Sequence, residues 1–285
     1  MPALYVLIFT KIADLKSFIA EIKASGKTIG FVPTMGALHY GHISLIEASK
    51  KLTDLTICSI FVNPTQFNDK KDLERYPKTP KEDTELLKEA GCDVLFMPEA
   101  NEMYPEKDSR IFDFGYLDKI LEGAHRPGHF NGVAQIVSKL FEIVQPHKAF
   151  FGSKDYQQVM IVKALVKQLN LSVEIIACPI LREDDGLAMS SRNMLLTSEE
   201  RSSASLIPQL MQKVNELKGK GEPVNNIIQF VKSELNKNSI YKLDYFSICD
   251  AETLQEIITF EKKKTVALIA CFVGKIRLID NIVLN

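Results

Sequence analysis

Nothing in this 285-residue sequence approaches membrane-spanning length: the apolar runs are short and are interrupted by charge and turn residues. The N-terminus carries no basic region followed by a long apolar stretch and a small-residue cleavage site, so the expectation is a cytoplasmic protein. Cysteine is sparse. Cys58, Cys92, Cys178, Cys249 and Cys271 are widely separated, lie mostly inside apolar runs and form no C-x-x-C pair, which argues against a disulfide framework and predicts reduced core thiols. Charge of one sign is missing too. Lys plus Arg number 35 against 36 Asp plus Glu, so the formal net charge is -1, and no global field favours nucleic acid or an anionic membrane. Metal-ligand spacings such as H-E-x-x-H are absent, as are internal repeats and low-complexity segments. Two partial matches to a P-loop fail. His129 stands where that motif requires Lys after Gly123 and Gly128, and Gly26-Lys27-Thr28 precedes a strand, with Glu21 where the first Gly belongs.

What is present is ordinary globular composition, 46% hydrophobic and 25% charged, in a chain long enough for two domains or one large one. Strand-like runs alternate with helical patterns through the first two thirds, at 28–32, 56–62, 93–97, 148–151 and 173–181, which predicts a parallel sheet with covering helices. Helices are expected over 80–90, with Thr79 and Glu82 as a capping box and Gly91 as the stop, and over 132–144 and 155–169. The stretch 99–132 is rich in Pro, Gly and charge and reads mostly as loop. After Leu181 the character changes. A polar loop, 182–193, leads to a helix from the Thr197/Glu200 capping box to about Leu217, another over 224–235, and strands over 243–249, 265–273 and 276–284. The last two strands join through a Gly274-Lys275 hairpin. The expected architecture is α/β: a Rossmann-like parallel-sheet domain over 1–184, then a smaller α+β domain over 185–285.

The densest chemistry is in Pro33-Thr34-Met35-Gly36-Ala37-Leu38-His39-Tyr40-Gly41-His42, where an apolar strand runs through a Gly-rich turn into two spaced histidines and a helix start. Free N–H groups and the positive end of the helix dipole would face anything held in the turn. His39 and His42 can both aim imidazole donors at one set of phosphate oxygens. The expectation is an ATP site.

Ligands in open parallel sheets sit at the carboxyl ends of strands, and each further cluster follows a strand. Asn63-Pro64-Thr65-Gln66-Phe67 offers two amides to a small polar substrate, although taken alone it reads as an ordinary turn. In Gly152-Ser153-Lys154-Asp155-Tyr156-Gln157-Gln158, a lysine in the first turn of a helix opposes the dipole unless an anion neutralises it, which makes Lys154 a candidate for phosphate, with a solvated helix turn as the alternative. Asp155 can accept from ribose hydroxyls, and Gln158 lies one turn on. Met189-Ser190-Ser191-Arg192, after Leu181, places two hydroxyls and a guanidinium on a flexible loop suited to closing on a triphosphate. Arg126, in the loop 122–132, can add positive potential near phosphates.

The His39-x-Gly41-His42 signature resembles the nucleotidyltransferase superfamily, and the Ser190–Arg192 loop resembles its second signature. The longer string Pro33–His42, together with Asn63–Phe67, Arg75-Tyr76-Pro77, Phe151–Asp155 and 122–132, is similar to the pantoate–β-alanine ligase family. Ser153 departs from the Glu usual there. The resemblance implies ATP-dependent condensation of (R)-pantoate with β-alanine through a pantoyl adenylate, releasing AMP and pyrophosphate, with Mg2+ entering on ATP and no metal site of the protein's own. It also implies a role for each site residue. His42, which matches the proton donor of that family, and His39, Lys154 and Arg192 would carry catalysis. Met35 to His42, Gly152 to Asp155, Leu181 and Met189 to Arg192 would hold ATP, and Gln66, Gln158 and Asn63 the acid and amine substrates. A cytoplasmic homodimer whose C-terminal domain lids the ATP site is implied as well. The rivals are a nucleotidyltransferase acting on a phosphorylated acceptor, which would want more Arg and Lys, and a regulatory module that has lost catalysis.

Overall fold

The computed structural model describes residues 5–68 and 70–284, and these divide into two compact units. The first comprises residues up to Ser153 together with Gln158–Pro179. The second comprises Lys154–Gln157 and Ile180 onward.

In the first unit the order is β1 (Leu7–Phe9), α1 (Ile12–Ala24), β2 (Ile29–Thr34), α2 (Tyr40–Leu52), β3 (Leu55–Ile60), α3 (Lys70–Arg75), α4 (Pro80–Glu89), β4 (Val94–Phe96), α5 (Ala100–Met103), α6 (Leu121–His125), α7 (His129–Val144), β5 (Lys148–Gly152), α8 (Tyr156–Gln168, whose first two residues belong to the second unit) and β6 (Glu174–Cys178). The strands form one parallel sheet in the order β1-β4-β3-β2-β5-β6. Alternate side chains go to opposite faces. Phe31 and Phe151 pack with Leu15 of α1 and Phe141 of α7, while Val32 and Phe150 pack with Ile46 of α2 and Leu87 of α4. With both faces covered, β3 is buried along its whole length, and even its polar residues Thr56 and Ser59 are fully enclosed. The chain goes from β2 to β3 on one side and later returns to β5 on the other, so the strand order reverses at β2.

The second unit holds α9 (Ser198–Ala204), α10 (Leu206–Gly219), α11 (Val224–Asn236) and an antiparallel sheet of β7 (Tyr241–Asp250), β8 (Thr265–Val273) and β9 (Ile276–Leu284). Its own core joins Ile207, Leu210, Val214, Ile227 and Val231 to Ile248, Ile269 and Leu278. β8 and β9 turn at Gly274-Lys275, with Val273 opposite Ile276, as expected from the sequence.

The differences from expectation have local causes. β1 is only three residues long and lies at the sheet edge, too short for a periodic signal. The single helix expected over 197–217 is two, because the Pro208 ring has no N–H and clashes with the carbonyl four residues back, at Ala204, where α9 ends. Within 99–132 there are short helices, and α7 begins at His129 rather than Gly132. Thr79 does not make the expected box with Glu82: its hydroxyl donates to Asp83 Oδ1 (3.1 Å). The Thr197/Glu200 box forms in full.

Candidate active site

At the carboxyl end of β2 the chain makes a turn in which Gly36 has φ +80° and Ala37 has φ +49°, the left-handed region. A Cβ at Gly36 would be strained by the backbone conformation and crowded by an Asp83 carboxylate oxygen and Ile60, each 3.0 Å away, which favours glycine there. The turn is held by Asp83 of α4, only 1% exposed, whose Oδ2 accepts from Ala37 N (3.0 Å) and Oδ1 from Leu38 N (2.7 Å).

His39 then caps α2. Its Nδ1 accepts from Gly41 N (3.1 Å), and its own N–H donates to His42 Nδ1 (3.3 Å), a capping box built from two imidazoles with ring centroids 4.1 Å apart. Because both Nδ1 atoms accept backbone N–H bonds, the neutral rings carry their protons on Nε2. Two of the amides expected to face a ligand are therefore satisfied by the histidines, and the donors become Nε2–H groups. Tyr40 is 67% exposed at the helix start.

Beyond β3, Pro64–Gln66 forms a 3-10 turn capped by Asn63. Asn63 is 1% exposed; its Oδ1 accepts from Thr65 and from the Tyr104 hydroxyl (2.9 Å), and its Nδ2 donates to Gln66 Oε1 (3.2 Å) and Gly132 O (3.1 Å). Its amide is spent on holding the Gln66 side chain, whose Nε2 points at Met35 Sδ (2.9 Å). Gly132 is needed because a Cβ there would lie 2.3 Å from Thr65 O. His129, at the start of α7, sits 2.8 Å through Nδ1 from the Gln66 carbonyl and 3.1 Å through Nε2 from Arg126 Nη1. Guanidinium can only donate, so Nε2 accepts and Nδ1–H donates to the carbonyl. Arg126 also pairs with Glu122 (3.6 Å), placing it in the framework around Gln66.

β5 ends at Gly152, and Ser153–Asp155 forms a 3-10 turn before α8, so Lys154 precedes the α-helix rather than lying in its first turn. Gln158 is half-buried in the opening turn of α8.

In the second unit, 182–193 is a pinned hairpin followed by a 3-10 turn. Glu183 N donates to Leu187 O (2.8 Å) and Met189 N to Leu181 O (3.0 Å), and Gly186 turns at φ +88°. Ser190 caps the 3-10 turn Ser191–Leu195 by accepting from Arg192 N (3.2 Å), and Asn193 Nδ2 donates to Glu183 Oε1 (2.6 Å). Tyr156 donates its hydroxyl to Ala251 O (2.8 Å), and Asn281 Nδ2 donates to Lys154 O (2.8 Å).

All five cysteines are free and buried, and burial pushes the Cys92, Cys249 and Cys271 thiols up to about 12, leaving them protonated and non-nucleophilic. Among the described residues no helix is long and apolar enough to cross a membrane. Asp83 and His129 escape sequence reasoning: each acts on residues 45 or more positions away, with no local pattern to mark it.

A family model described as Pantoate-beta-alanine ligase matches residues 7–283. A pantothenate synthetase from Porphyromonas gingivalis is 50% identical over 276 residues, covering 96% of this chain and 98% of that protein. One from Bacteroides fragilis is 48% identical over 272 residues, covering 95% and 96%. Among solved structures, pantothenate synthetase from Thermus thermophilus superposes with a TM-score of 0.92 at 38% identity, covering 97% of this chain and 99% of that one. Pantoate-beta-alanine ligase from Francisella tularensis, complexed with beta-gamma ATP and beta-alanine, gives 0.83 at 37% identity, covering 98% and 97%.

Proposed function

We propose that this chain, which belongs to the pantoate-beta-alanine ligase family, joins (R)-pantoate to β-alanine at the expense of ATP. The observation that carries the site assignment is the imidazole pair at the head of α2, with both Nε2–H donors set by backbone bonds, at the point where the strand order reverses.

A pantoate carboxylate oxygen attacks the α-phosphorus of Mg-ATP; the bond to the bridging oxygen breaks, and pyrophosphate leaves with its electron pair. The β-alanine amine then attacks the acyl carbonyl of pantoyl adenylate, AMP departs as the leaving group, and the amine loses its proton. No protein nucleophile enters either step, so catalysis rests on positioning and on neutralising phosphate charge. His39 and His42 donate to phosphate oxygens, with His42 available to pass a proton to a leaving oxygen. Lys154, Ser190, Ser191 and Arg192 bind the triphosphate, and Gly152, Ser153 and Asp155 hold the nucleoside side. Backbone from Met35 to Gly41, with Leu181 and Met189, completes the ATP contacts. Gln66 and Gln158 orient pantoate, with Asn63 acting through Gln66. Mg2+ arrives on the phosphate oxygens of ATP. The reading extends to a cytoplasmic homodimer; the apolar edge strand β1, with Leu7 and Ile8 41% and 49% exposed, supports a second copy.

Leaving out one reactant at a time tests the chemistry. AMP release is expected to require ATP, Mg2+, pantoate and β-alanine together, while pantoate alone supports exchange of labelled pyrophosphate into ATP. AMP release without pantoate and β-alanine would refute the assignment.

A further inference from the structure

We propose that Asp280 and Asn281 of β9 form a positioning dyad that ties together the two segments assigned to the triphosphate, the Lys154 turn and the hairpin leading to Ser190–Arg192. The proposal rests on that reading of Lys154 and Arg192.

The dyad is anomalous in its strand. β9 is otherwise largely apolar, yet Asp280 and Asn281 are adjacent and only 3% and 4% exposed. Burying a carboxylate against an arginine gains little over well-packed apolar side chains of the same volume, so stability alone does not account for the pair. Neighbouring residues of a strand point to opposite faces, which lets one short stretch of β9 reach in two directions. On one face, shared with Leu278 and Leu284, Asp280 receives a bidentate Arg182 guanidinium (2.8 and 3.0 Å). The same Arg182 donates to Gly186 O (2.9 Å), closing the hairpin, and to Asn281 O (3.3 Å). On the other face Asn281 Nδ2 donates to Lys154 O (2.8 Å). Asn281 N in turn donates to Asp280 Oδ1 (2.7 Å), so the two bonding sets share the carboxylate. The 3-10 turn bearing Ser191 and Arg192 also packs on β9. One strand of the C-terminal sheet thus sets the spacing between the Lys154 backbone and the foot of the Arg192 segment.

The two half-reactions separate this role from simple support of the fold. Pyrophosphate is present only in the first, which is read as pantoate-dependent exchange of labelled pyrophosphate into ATP. The second is read as AMP release from supplied pantoyl adenylate and β-alanine. Asn281→Ala is expected to slow the first about tenfold or more, as small misplacements of charge-neutralising groups do, with the second unchanged and the thermal midpoint lowered by no more than the loss of one buried hydrogen bond implies. Combined with Lys154→Ala it should add nothing to the loss from Lys154→Ala alone. Asn281→Ser stays polar and uncharged but is too short to reach the Lys154 carbonyl, and should reproduce the selective loss if the alanine variant folds poorly. Unimpaired exchange in both variants, equal loss of both half-reactions, or a loss additive with Lys154→Ala overturns the dyad. Lys154→Ala exchanging at the unmodified rate instead sinks the reading of Lys154, and the proposal with it.

Discussion

At the scale of single residues, the groups that meet substrate and the groups that aim them were unequally visible. His39 and His42 announce themselves because their spacing, the glycines and the helix start lie within ten residues. Asp83 does not. Its partners Ala37 and Leu38 are 46 and 45 positions away, and the Thr79–Glu82 pattern beside it draws attention to the wrong carboxylate. Yet Asp83 holds a left-handed Ala37 in place, and a left-handed non-glycine residue persists only where its surroundings compensate for the strain. Asp83→Asn turns an amide N–H2 toward at least one of the two backbone N–H groups. The variant should lose about 1–3 kcal/mol of stability and bind ATP more weakly, because the turn that leads into His39 relaxes. Thermal denaturation and the KM for ATP in the exchange reaction check this, and an unchanged KM would show that the turn does not depend on the latch. Asn63 shows the converse: its position is legible as a polar turn residue, but its burial and five hydrogen-bonding contacts, which make it the support of Gln66, emerge only from the fold.

At the scale of elements, most of both units was legible, because buried parallel strands read as apolar runs and the C-terminal strands carry a clean hairpin signal. What failed were two features of different kinds: β1 depends on pairing with β4, outside the local window, whereas the break at Ser205 follows from Pro208, three residues further on, a local breaker that the capping box and helical spacing overshadowed. The Thr197 box is the opposite case: Thr197 Oγ1 accepts from Glu200 N (3.2 Å) and Glu200 Oε2 accepts from Thr197 N (2.9 Å), all within one turn. α9 is only seven residues long and contributes one buried residue, Ala204, so its start relies on this cap. Thr197→Ala should cost about 1 kcal/mol, read as a lowered urea midpoint with an unchanged denaturant slope. The pyrophosphate exchange rate should change little, since the two cap bonds lie within residues 197–200 and neither is made to the 3-10 turn Ser191–Leu195.

For the molecule as a whole, acid stability draws on carboxylates held by hydrogen bonds and ion pairs in both units, and Asp108 and Asp185 are two of them. In the first unit Arg110 donates to Asp108 through Nε (3.0 Å) and Nη2 (2.7 Å), and those hydrogen bonds hold the Asp108 carboxyl below its ordinary range. In the second, Arg201 bridges Asp185 and Glu183 (2.5 Å each), and the hydrogen bond from Arg201 lowers Asp185 in the same way. A carboxylate whose folded pKa is depressed binds fewer protons in the native state than in the unfolded one over the interval between the two values. Its contribution is therefore fully present above about pH 4, the unfolded value, and is lost as pH falls through the folded one. Both pairs should thus leave stability flat near neutrality and steepen unfolding in acid. Arg201→Gln and Arg110→Gln each remove one donor set while keeping most of the stem, and each should move the acid-unfolding midpoint to higher pH. With no tryptophan in the chain, far-UV circular dichroism is the suitable readout. Raising the salt should weaken the Arg201 pair, whose Asp185 side chain is a third exposed, more than the Arg110 pair, whose Asp108 side chain is only 3% exposed. An acid midpoint that neither substitution moves would mean that other groups govern the transition.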